Sequence, residues 1–181
     1  MQQIDNYIQS LNSTLNLIDK SAINELKIAF EKTKITKSQI ITFGNGGSGS
    51  TASHMVCDIL KGCSYGKKDR YKILCLNDNI PTLLAYSNDV SYDEVFLEQL
   101  KNYMSEGDLV IGISGSGNSK NVIKAIDYAN DNGANTVAFT GFKGGELNEK
   151  AKISIHVPVD DMQITEDVHV IVMHMLYKLL N

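Results

Sequence analysis

Apolar residues recur at helical spacing in the first part of the chain. The positions that share this spacing are Ile4, Ile8, Leu11, Leu15 and Ile18. Intervals of three and four residues place side chains on one face of a helix. A second helix is predicted with Ser21 as its cap and with Ile23, Leu26 and Phe30 directed inward. This N-terminal arm packs either on the sheet of its own chain or against another subunit, and the pattern does not separate the two.

From residue 39 onward the pattern changes to short apolar runs that end in Gly, Ser or Asn. The runs lie at 40–43, 73–76, 109–113, 136–139 and 153–157, and the helical stretches lie at 51–60, 92–104, 119–132 and 165–180. Continuous apolar strands that alternate with helices predict a parallel sheet covered on both faces. We therefore expect a three-layer α/β/α sandwich forming one domain over 1–181, with helices in 1–35 and the core in 36–181.

A glycine-rich loop follows the first predicted strand and opens a helix. It runs from Gly44 to Ser50, and four of its first six residues are glycine. Glycines let the backbone approach a ligand without a Cβ clash, and a helix N-terminus offers unpaired N–H groups to an anion. A tight turn without a ligand is the alternative, but it needs fewer glycines.

A serine-rich loop occupies the same place after the third predicted strand. It comprises Ser114, Gly115, Ser116, Gly117, Asn118 and Ser119. Its hydroxyls and backbone amides can surround one phosphate, and because the loop has no lysine or arginine, binding would rest on neutral donors and the helix dipole. Two such loops predict a phosphate-binding cleft at the carboxyl edge of the sheet.

A dinucleotide site is a competing interpretation of the first loop. Gly44, Gly46 and Gly49 satisfy the G-x-G-x-x-G pattern, and Asp78 follows the next strand, where such folds keep a ribose-binding carboxylate. The second, serine-rich loop argues against this interpretation, since a nicotinamide fold does not call for it.

Two pairs of titratable residues stand at helical spacing. His54 and Asp58 are four residues apart, and Glu166 and His174 lie eight apart on the last helix. Together they could bind one Zn²⁺ or serve as a general acid/base set. Taken alone, each pair favours a structural role over a functional one, and His156 and His169 are interpreted as structural.

Composition narrows the class of partner. The net charge is −4 and no basic run is present, which argues against nucleic acid or an anionic membrane as the partner. Three cysteines at Cys57, Cys63 and Cys75 fit neither metal pairs nor a disulfide framework. With no signal-peptide pattern at the N-terminus and no apolar segment of spanning length, a soluble cytoplasmic protein is expected.

Several runs of residues resemble the phosphoheptose isomerases of the sugar isomerase (SIS) family. The runs are 43–48 followed by His54 and Asp58, 107–114 leading into 117–119, 121–125, 140–145, and His169 with His174. The similarity covers essentially the whole chain. It implies a flavodoxin-like SIS fold with a five-stranded parallel sheet, and a homotetramer with sites at subunit interfaces.

The resemblance also implies an activity and a set of site residues. The activity is conversion of sedoheptulose 7-phosphate into D-glycero-D-manno-heptose 7-phosphate, which feeds activated heptose for lipopolysaccharide or capsule. The implied substrate-binding positions are Asn45, Gly46, Gly47, Ser48, Asp58, Asn88, Asp89, Ser114, Gly115, Ser116, Ser119 and Glu166. The implied zinc ligands are His54, Asp58, Glu166 and His174, and the implied catalytic residues are Asp58, His174 and Glu166.

Three positions depart from the family pattern. Asp58 stands where the family has glutamate, Glu166 where it has glutamine, and Gly115 where it usually has threonine. Asp58 is one methylene shorter than glutamate, so its reach changes by on the order of 1 Å. Glu166 could compensate as a ligand or as the base. A non-catalytic SIS module that binds a phosphosugar and a protein partner is the rival prediction.

Overall fold

Strands and helices alternate along residues 1–181, all of which the computed structural model describes. The strands are β1 (Gln39–Gly44), β2 (Lys72–Cys75), β3 (Leu109–Ser114), β4 (Asn135–Thr140) and β5 (Ile153–His156). The helices are α1 (Gln2–Leu15), α2 (Lys20–Thr36), α3 (Gly46–Lys61), α4 (Ile80–Asp89), α5 (Val95–Tyr103), α6 (Lys120–Asp131), α7 (Gly145–Lys150) and α8 (Met162–Leu180). A 3₁₀ turn at Tyr92–Glu94 precedes α5.

The five strands form one parallel sheet, as predicted. Their order is β2-β1-β3-β4-β5. In the register, Gly44 of β1 lies beside Ile113 of β3, and Ser114 of β3 lies beside Thr140 of β4. Because β1 and β3 are neighbours and both end at this edge, the two loops that follow them lie side by side. Strand β2 lies on one side of β1 and β3 lies on the other, so the strand order reverses direction at β1. Open α/β sheets bind ligands at such a switch point.

Two apolar clusters cover the two faces of the sheet and confirm the three-layer architecture. The larger one packs α2, α3 and α8 on the sheet, and the smaller one packs α5, α6 and α7 on the opposite face. Phe43 and Phe96 stack with ring centroids 5.0 Å apart in the smaller cluster. The residues of β1, β3 and β4 are buried almost throughout, which explains why these strands are mainly apolar.

The N-terminal arm is partly built into the core. Leu26 and Phe30 of α2 are fully buried, whereas Ile4 and Ile8 of α1 remain more than half exposed. The hydroxyl of Tyr7 donates to Asp167 at 2.6 Å and ties α1 to α8. One face of the arm therefore packs on its own chain, and another stays uncovered. None of the helices has the length and apolar character needed to cross a bilayer.

The predicted cap of α2 is wrong by two residues. The N-cap is Asp19, whose carboxylate accepts hydrogen bonds from both the backbone N–H and the hydroxyl of Ser21, at 2.8 and 2.6 Å. A carboxylate also interacts favourably with the positive end of the helix dipole, and the helix begins two residues earlier than a Ser21 cap would set it. These hydrogen bonds lower the pKa of Asp19.

Candidate functional site

The two predicted loops meet at the carboxyl edge of the sheet. Position 44 accommodates only glycine, because a Cβ there would lie 2.7 Å from the carbonyl oxygen of Ile113. The first loop leads into α3 with Asn45 at the N-cap, and the second leads into α6 with Ser119 at the N-cap. Neither cap side chain bonds to its own helix, so the first N–H groups of both helices are left for another acceptor.

The second loop is held by contacts from three sides. Gly117 has a φ of +68°, and a Cβ there would overlap the carbonyl oxygen of Gly144. The backbone N–H of Gly141 donates to the carbonyl of Gly115 at 2.7 Å, and that of Leu147 donates to Gly117 at 2.9 Å. The loop is therefore shaped in advance, with its backbone conformation fixed by neighbouring turns.

The hydroxyls of the second loop point toward one another. Ser114 Oγ lies 2.9 Å from Ser119 Oγ, although five residues separate them in sequence. Ser116 Oγ accepts from the backbone N–H of Asn118 at 3.2 Å. Each hydroxyl keeps further hydrogen-bonding capacity, so the pair can turn toward an anion that enters the loop.

Helix α8 begins against both loops. A Cβ at Gly115 would lie 2.5 Å from the sulfur of Met162, and a Cβ at Gly47 would lie 2.5 Å from each carboxylate oxygen of Glu166. The predicted Glu166 is thus placed directly beside the first loop. A cleft of about 250 Å³ continues from there between α3 and α8, where it is lined by His54 and Val170.

A second group of site residues gathers further along the same two helices. Asp58 Oδ2 lies 3.5 Å from His54 Nε2 and 3.7 Å from His174 Nε2, and the two imidazole rings meet edge to face at 5.2 Å. The side chains of His54 and His174 are about half exposed. One ligand atom from each of the three residues lies within 4.8 Å of the other two.

The three residues of this group could hold a metal ion, and their ligand types suit Zn²⁺. Zn²⁺ takes imidazole nitrogens and carboxylate oxygens at about 2.0–2.2 Å, and a catalytic site uses three protein ligands with a fourth position open. Ligand atoms around such an ion stand about 3.4 Å apart, so the Asp58 contacts need to change little. Glu166, the fourth predicted ligand, is not part of the group, and its role as a ligand stays a prediction.

The other two histidines are used inside the fold. His169 is 1% exposed, and its Nε2 lies 3.1 Å from the carbonyl oxygen of Thr140. Burial lowers the pKa of His169 to about 4, while the hydrogen bond to Thr140 opposes that shift. His156 Nδ1 lies 3.2 Å from the hydroxyl of the same threonine, and burial lowers its pKa as well.

Two predicted binding residues and the predicted dinucleotide carboxylate lie at the protein surface, outside the two loops. Asn88 and Asp89 form the last positions of α4, where the amide of Asn88 donates to the Asp89 carboxylate at 2.7 Å and both side chains are exposed. Asp78 accepts from the hydroxyl of Ser53 at 2.7 Å. Asp78 is therefore engaged with α3 of its own chain.

Sequence reasoning missed two residues that hold the side chain of Asn45 in the first loop. The side chain of Asn45 is bonded to the amide of Asn121 and to the hydroxyl of Tyr92, at 2.8–3.0 Å. Asn121 follows the second loop on α6, and Tyr92 follows the Asn88–Asp89 pair. No sequence pattern joins these positions, because their contact depends on the order of the strands.

Comparison with known proteins gives the family. The model of the SIS domain matches residues 6–141. A probable phosphoheptose isomerase from Thermoplasma acidophilum is 39% identical over 144 residues, which cover 80% of this chain and 79% of the relative. One from Thermoplasma volcanium is 32% identical over 181 residues, or 100% of this chain and 92% of the relative.

A solved structure has the same fold as this chain. The phosphoheptose isomerase of Neisseria gonorrhoeae superposes with a TM-score of 0.91 at 23% identity, covering 99% of this chain and 97% of that one. The sheet order, the two loops and the full-length similarity agree with one another. The chain therefore belongs to the SIS domain family and, within it, to the phosphoheptose isomerases.

Proposed function

We propose that this chain is an aldose–ketose isomerase that converts sedoheptulose 7-phosphate into D-glycero-D-manno-heptose 7-phosphate, the first step toward nucleotide-activated heptose for lipopolysaccharide or capsule. The observation that carries the proposal is the contact of Asp58 with both His54 and His174. A SIS module that only binds phosphosugars has no need of a carboxylate placed between two imidazoles, whereas proton transfer does.

The loop edge supplies substrate binding. Phosphate oxygens would accept hydrogen bonds from the hydroxyls of Ser114, Ser116 and Ser119 and from the free N–H groups that begin α6. Neutral donors suffice here because the loop is already shaped and its helix dipole favours an anion. Fixing the phosphate fixes the carbon chain, and such positioning lowers the barrier because the entropic cost of bringing the reacting groups together is already met on binding.

The chemistry requires a proton to move between C1 and C2 while protons shift between O1 and O2. We assign removal and return of the carbon-bound proton to Asp58 and movement of the oxygen-bound protons to His174. Glu166 is the second carboxylate in reach of bound sugar, since it lies beside Gly47 of the first loop. Its position makes it the alternative base, and a general base of this kind contributes about 10²- to 10⁴-fold.

The separation of the two groups supports a site shared between subunits. Gly47 and Asp58 are eleven residues apart on α3, which corresponds to about 16 Å along the helix. The substrate spans about 10 Å from C1 to phosphorus, at about 1.5 Å per bond along a zigzag chain. We therefore infer that Asp58 and His174 act on sugar held by the loops of a neighbouring chain.

Uncovered apolar residues support the proposed homotetramer. Helix α4 contains no buried residue, and its Ile80 and Leu84 are 61% and 64% exposed. The uncovered face of α1 adds Ile4 and Ile8. Large apolar side chains exposed together mark protein–protein contacts. Light scattering coupled to size-exclusion chromatography should give four times the 19.9 kDa chain mass, and a monomer at micromolar concentration would contradict the shared site.

We propose one Zn²⁺ per chain at His54, Asp58 and His174, with Glu166 as a candidate fourth ligand. When bound, zinc would act as a Lewis acid toward the sugar oxygens. Metal analysis of purified protein should give about one zinc per chain, falling strongly in His54→Ala, with His156→Ala as a control outside the group. Absence of zinc together with full activity in chelator would remove the metal from the proposal.

Proton exchange tests the activity directly. With sedoheptulose 7-phosphate in D₂O, the purified protein should introduce deuterium at C2 of the aldose product, as followed by NMR and product analysis. If the protein catalyses proton exchange on none of the aldose or ketose phosphates tested, the non-catalytic module would be favoured.

The free thiols of Cys57, Cys63 and Cys75 support the expectation of a reducing, cytosolic location.

A further inference from the structure

The amides of Asn45 and Asn121 and the hydroxyl of Tyr92 form a cluster that we call the amide clamp. We propose that Asn121 and Tyr92 are positioning residues that hold the Asn45 amide with its N–H toward an oxygen of the bound sugar phosphate. This inference rests on the proposed function and deepens it, because it assigns a direction to a hydrogen bond at the substrate.

One backbone contact fixes the orientation of the whole clamp. The backbone N–H of Val122 donates to Asn121 Oδ1 at 3.0 Å. A backbone N–H can only donate, so this atom of Asn121 must be the oxygen. Asn45 then presents its Nδ2 to the same oxygen at 2.9 Å and receives Asn121 Nδ2 on its own Oδ1 at 3.0 Å. The hydroxyl of Tyr92 must donate to Asn45 Oδ1, at 2.8 Å.

Counting hydrogen bonds shows what Asn45 has left to offer. Its carbonyl oxygen has two lone pairs, and both are used, one by Asn121 and one by Tyr92. Its amide nitrogen has two N–H groups, and one of them is used by Asn121. The remaining capacity is a single N–H donor. Asn45 therefore recognises an acceptor oxygen of the substrate and cannot accept a hydrogen bond from a substrate hydroxyl without giving up the clamp.

The clamp also joins three segments that meet only in the folded chain. Asn45 belongs to the first loop, Asn121 stands two residues after Ser119 of the second loop, and Tyr92 stands three residues after Asp89. Asn121 is 2% exposed, whereas Tyr92 is 54% exposed. Removing the Asn121 side chain would delete both of its hydrogen bonds to Asn45 inside the fold, but Tyr92→Phe deletes one hydroxyl at the surface and keeps the ring.

A double-mutant cycle separates positioning from a general structural effect. The four proteins are the wild type, Tyr92→Phe, Asn45→Ala and the double variant, with Tyr65→Phe as a control at an exposed tyrosine. The readouts are KM and kcat for sedoheptulose 7-phosphate and the dissociation constant of the same compound by calorimetry. Loss of one neutral hydrogen bond predicts that Tyr92→Phe raises KM and the dissociation constant about fivefold.

The coupling between the Tyr92→Phe and Asn45→Ala substitutions tests the proposal. If Tyr92 acts through Asn45, Tyr92→Phe has no further effect in the Asn45→Ala background, and Tyr65→Phe has none in either. Equal effects of Tyr92→Phe in both backgrounds, or no effect in the wild type, would overturn the clamp. A wild type that binds the sugar phosphate without isomerising it would refute the proposed function alone, since the dissociation constants still complete the cycle. A wild type that does not bind it would overturn both.

Discussion

The loop edge of the sheet and the His54–Asp58–His174 group differ in how their polar atoms are satisfied. At the loop edge Ser114 and Asn121 are nearly fully buried and are hydrogen-bonded within the chain. In the other group the side chains are 28–51% exposed and have only one another as partners. The loop edge is therefore complete within one chain, whereas the polar atoms of the three-residue group remain open to further partners.

The physical reason lies in the kinds of atoms involved. Neutral amides and hydroxyls can be buried at small cost when each is paired, so a preformed phosphate loop is compatible with stability. A carboxylate and two imidazoles would lose hydration on burial, and that loss penalises their charged forms. Their partial exposure on the single chain avoids that cost.

The largest expected effect is at the open group. Asp58→Asn keeps the size and hydrogen-bonding reach of the side chain but removes its basicity, so kcat for heptose phosphate isomerisation should fall by about 10²- to 10⁴-fold. The assay is product formation from sedoheptulose 7-phosphate. Asp69→Asn, at an exposed ion pair with Lys37, serves as the control and should keep wild-type rates. If Asp58→Asn retains the full rate, Asp58 is not the base, and Glu166 is the remaining candidate for that role.

A matched pair of glycines tests the rigidity of the loop edge. Gly117 and Gly66 have similar positive φ angles of 68° and 72°. A Cβ at Gly117 would overlap the backbone of Gly144, whereas a Cβ at Gly66 meets nothing within 4 Å. Gly66→Ala should cost about 1 kcal/mol of unfolding free energy for the φ angle alone.

Gly117→Ala adds the overlap to the same φ cost and should lose at least about 3 kcal/mol. Urea unfolding at pH 7.5 measures both variants. Equal losses in the two variants would mean that the second loop moves aside without cost, and would argue against a preformed phosphate site.

The pH dependence of stability tests the buried histidine behind the second loop. His169 is neutral in the fold because burial lowers its pKa to about 4, whereas the unfolded chain titrates near 6.5. Between pH 6.5 and 4 the unfolded chain therefore binds more protons, so stability is complete above pH 6.5 and is lost as the pH falls. The loss should be roughly 3 kcal/mol across that window.

His169→Gln removes this titration while keeping an amide donor for Thr140. Urea unfolding at pH 7.5, 5.5 and 4.5 should show a shallower pH slope in the variant than in the wild type, with the remaining slope coming from His156 and the carboxylates. Identical slopes would show that His169 is not the group that titrates.

The smallest expected effect is at the N-terminal arm. The Tyr7–Asp167 hydrogen bond raises the pKa of Tyr7 to about 12, but it lies at the surface in contact with water. Tyr7→Phe should lower Tm by about 1 to 2 °C, as expected for one exposed hydrogen bond in a domain of this size. Differential scanning calorimetry gives the shift. A decrease of 5 °C or more would mean that α1 docking depends on this single contact.

Much of the fold could be predicted because its strands are buried on both faces. The run 109–113 has no polar residue, and only a strand covered on both sides uses such a run. The spacing of apolar residues did not define the bounds of the two short helices α4 and α7, because α4 buries none of its residues and α7 buries only Leu147. The cap of α2 was misplaced because Asp19 and Ser21 are both good caps, and only the backbone path distinguishes them.

Part of the candidate site could likewise be predicted from the sequence, and part could not. The loops were visible in the sequence because glycine and serine at strand ends have few other uses, and the pair His54 and Asp58 was visible from helical spacing. The distance of Glu166 from the three-residue group was not visible. His174 and Glu166 share a face of α8, but eight residues separate them by about 12 Å along the helix axis, so they face different parts of α3.

By itself the sequence determined where the candidate chemical residues stand and that each loop would follow a buried strand, since these depend on local spacing and on the small set of residues that can serve each purpose. The tertiary structure decided which of them meet. Strand order placed β1 beside β3 and joined Asn45 to Asn121, and the packing of α8 along α3 brought His174 to Asp58. Such contacts come from side chains far apart along the chain, whose meeting is set by burial of the whole core rather than by any local pattern.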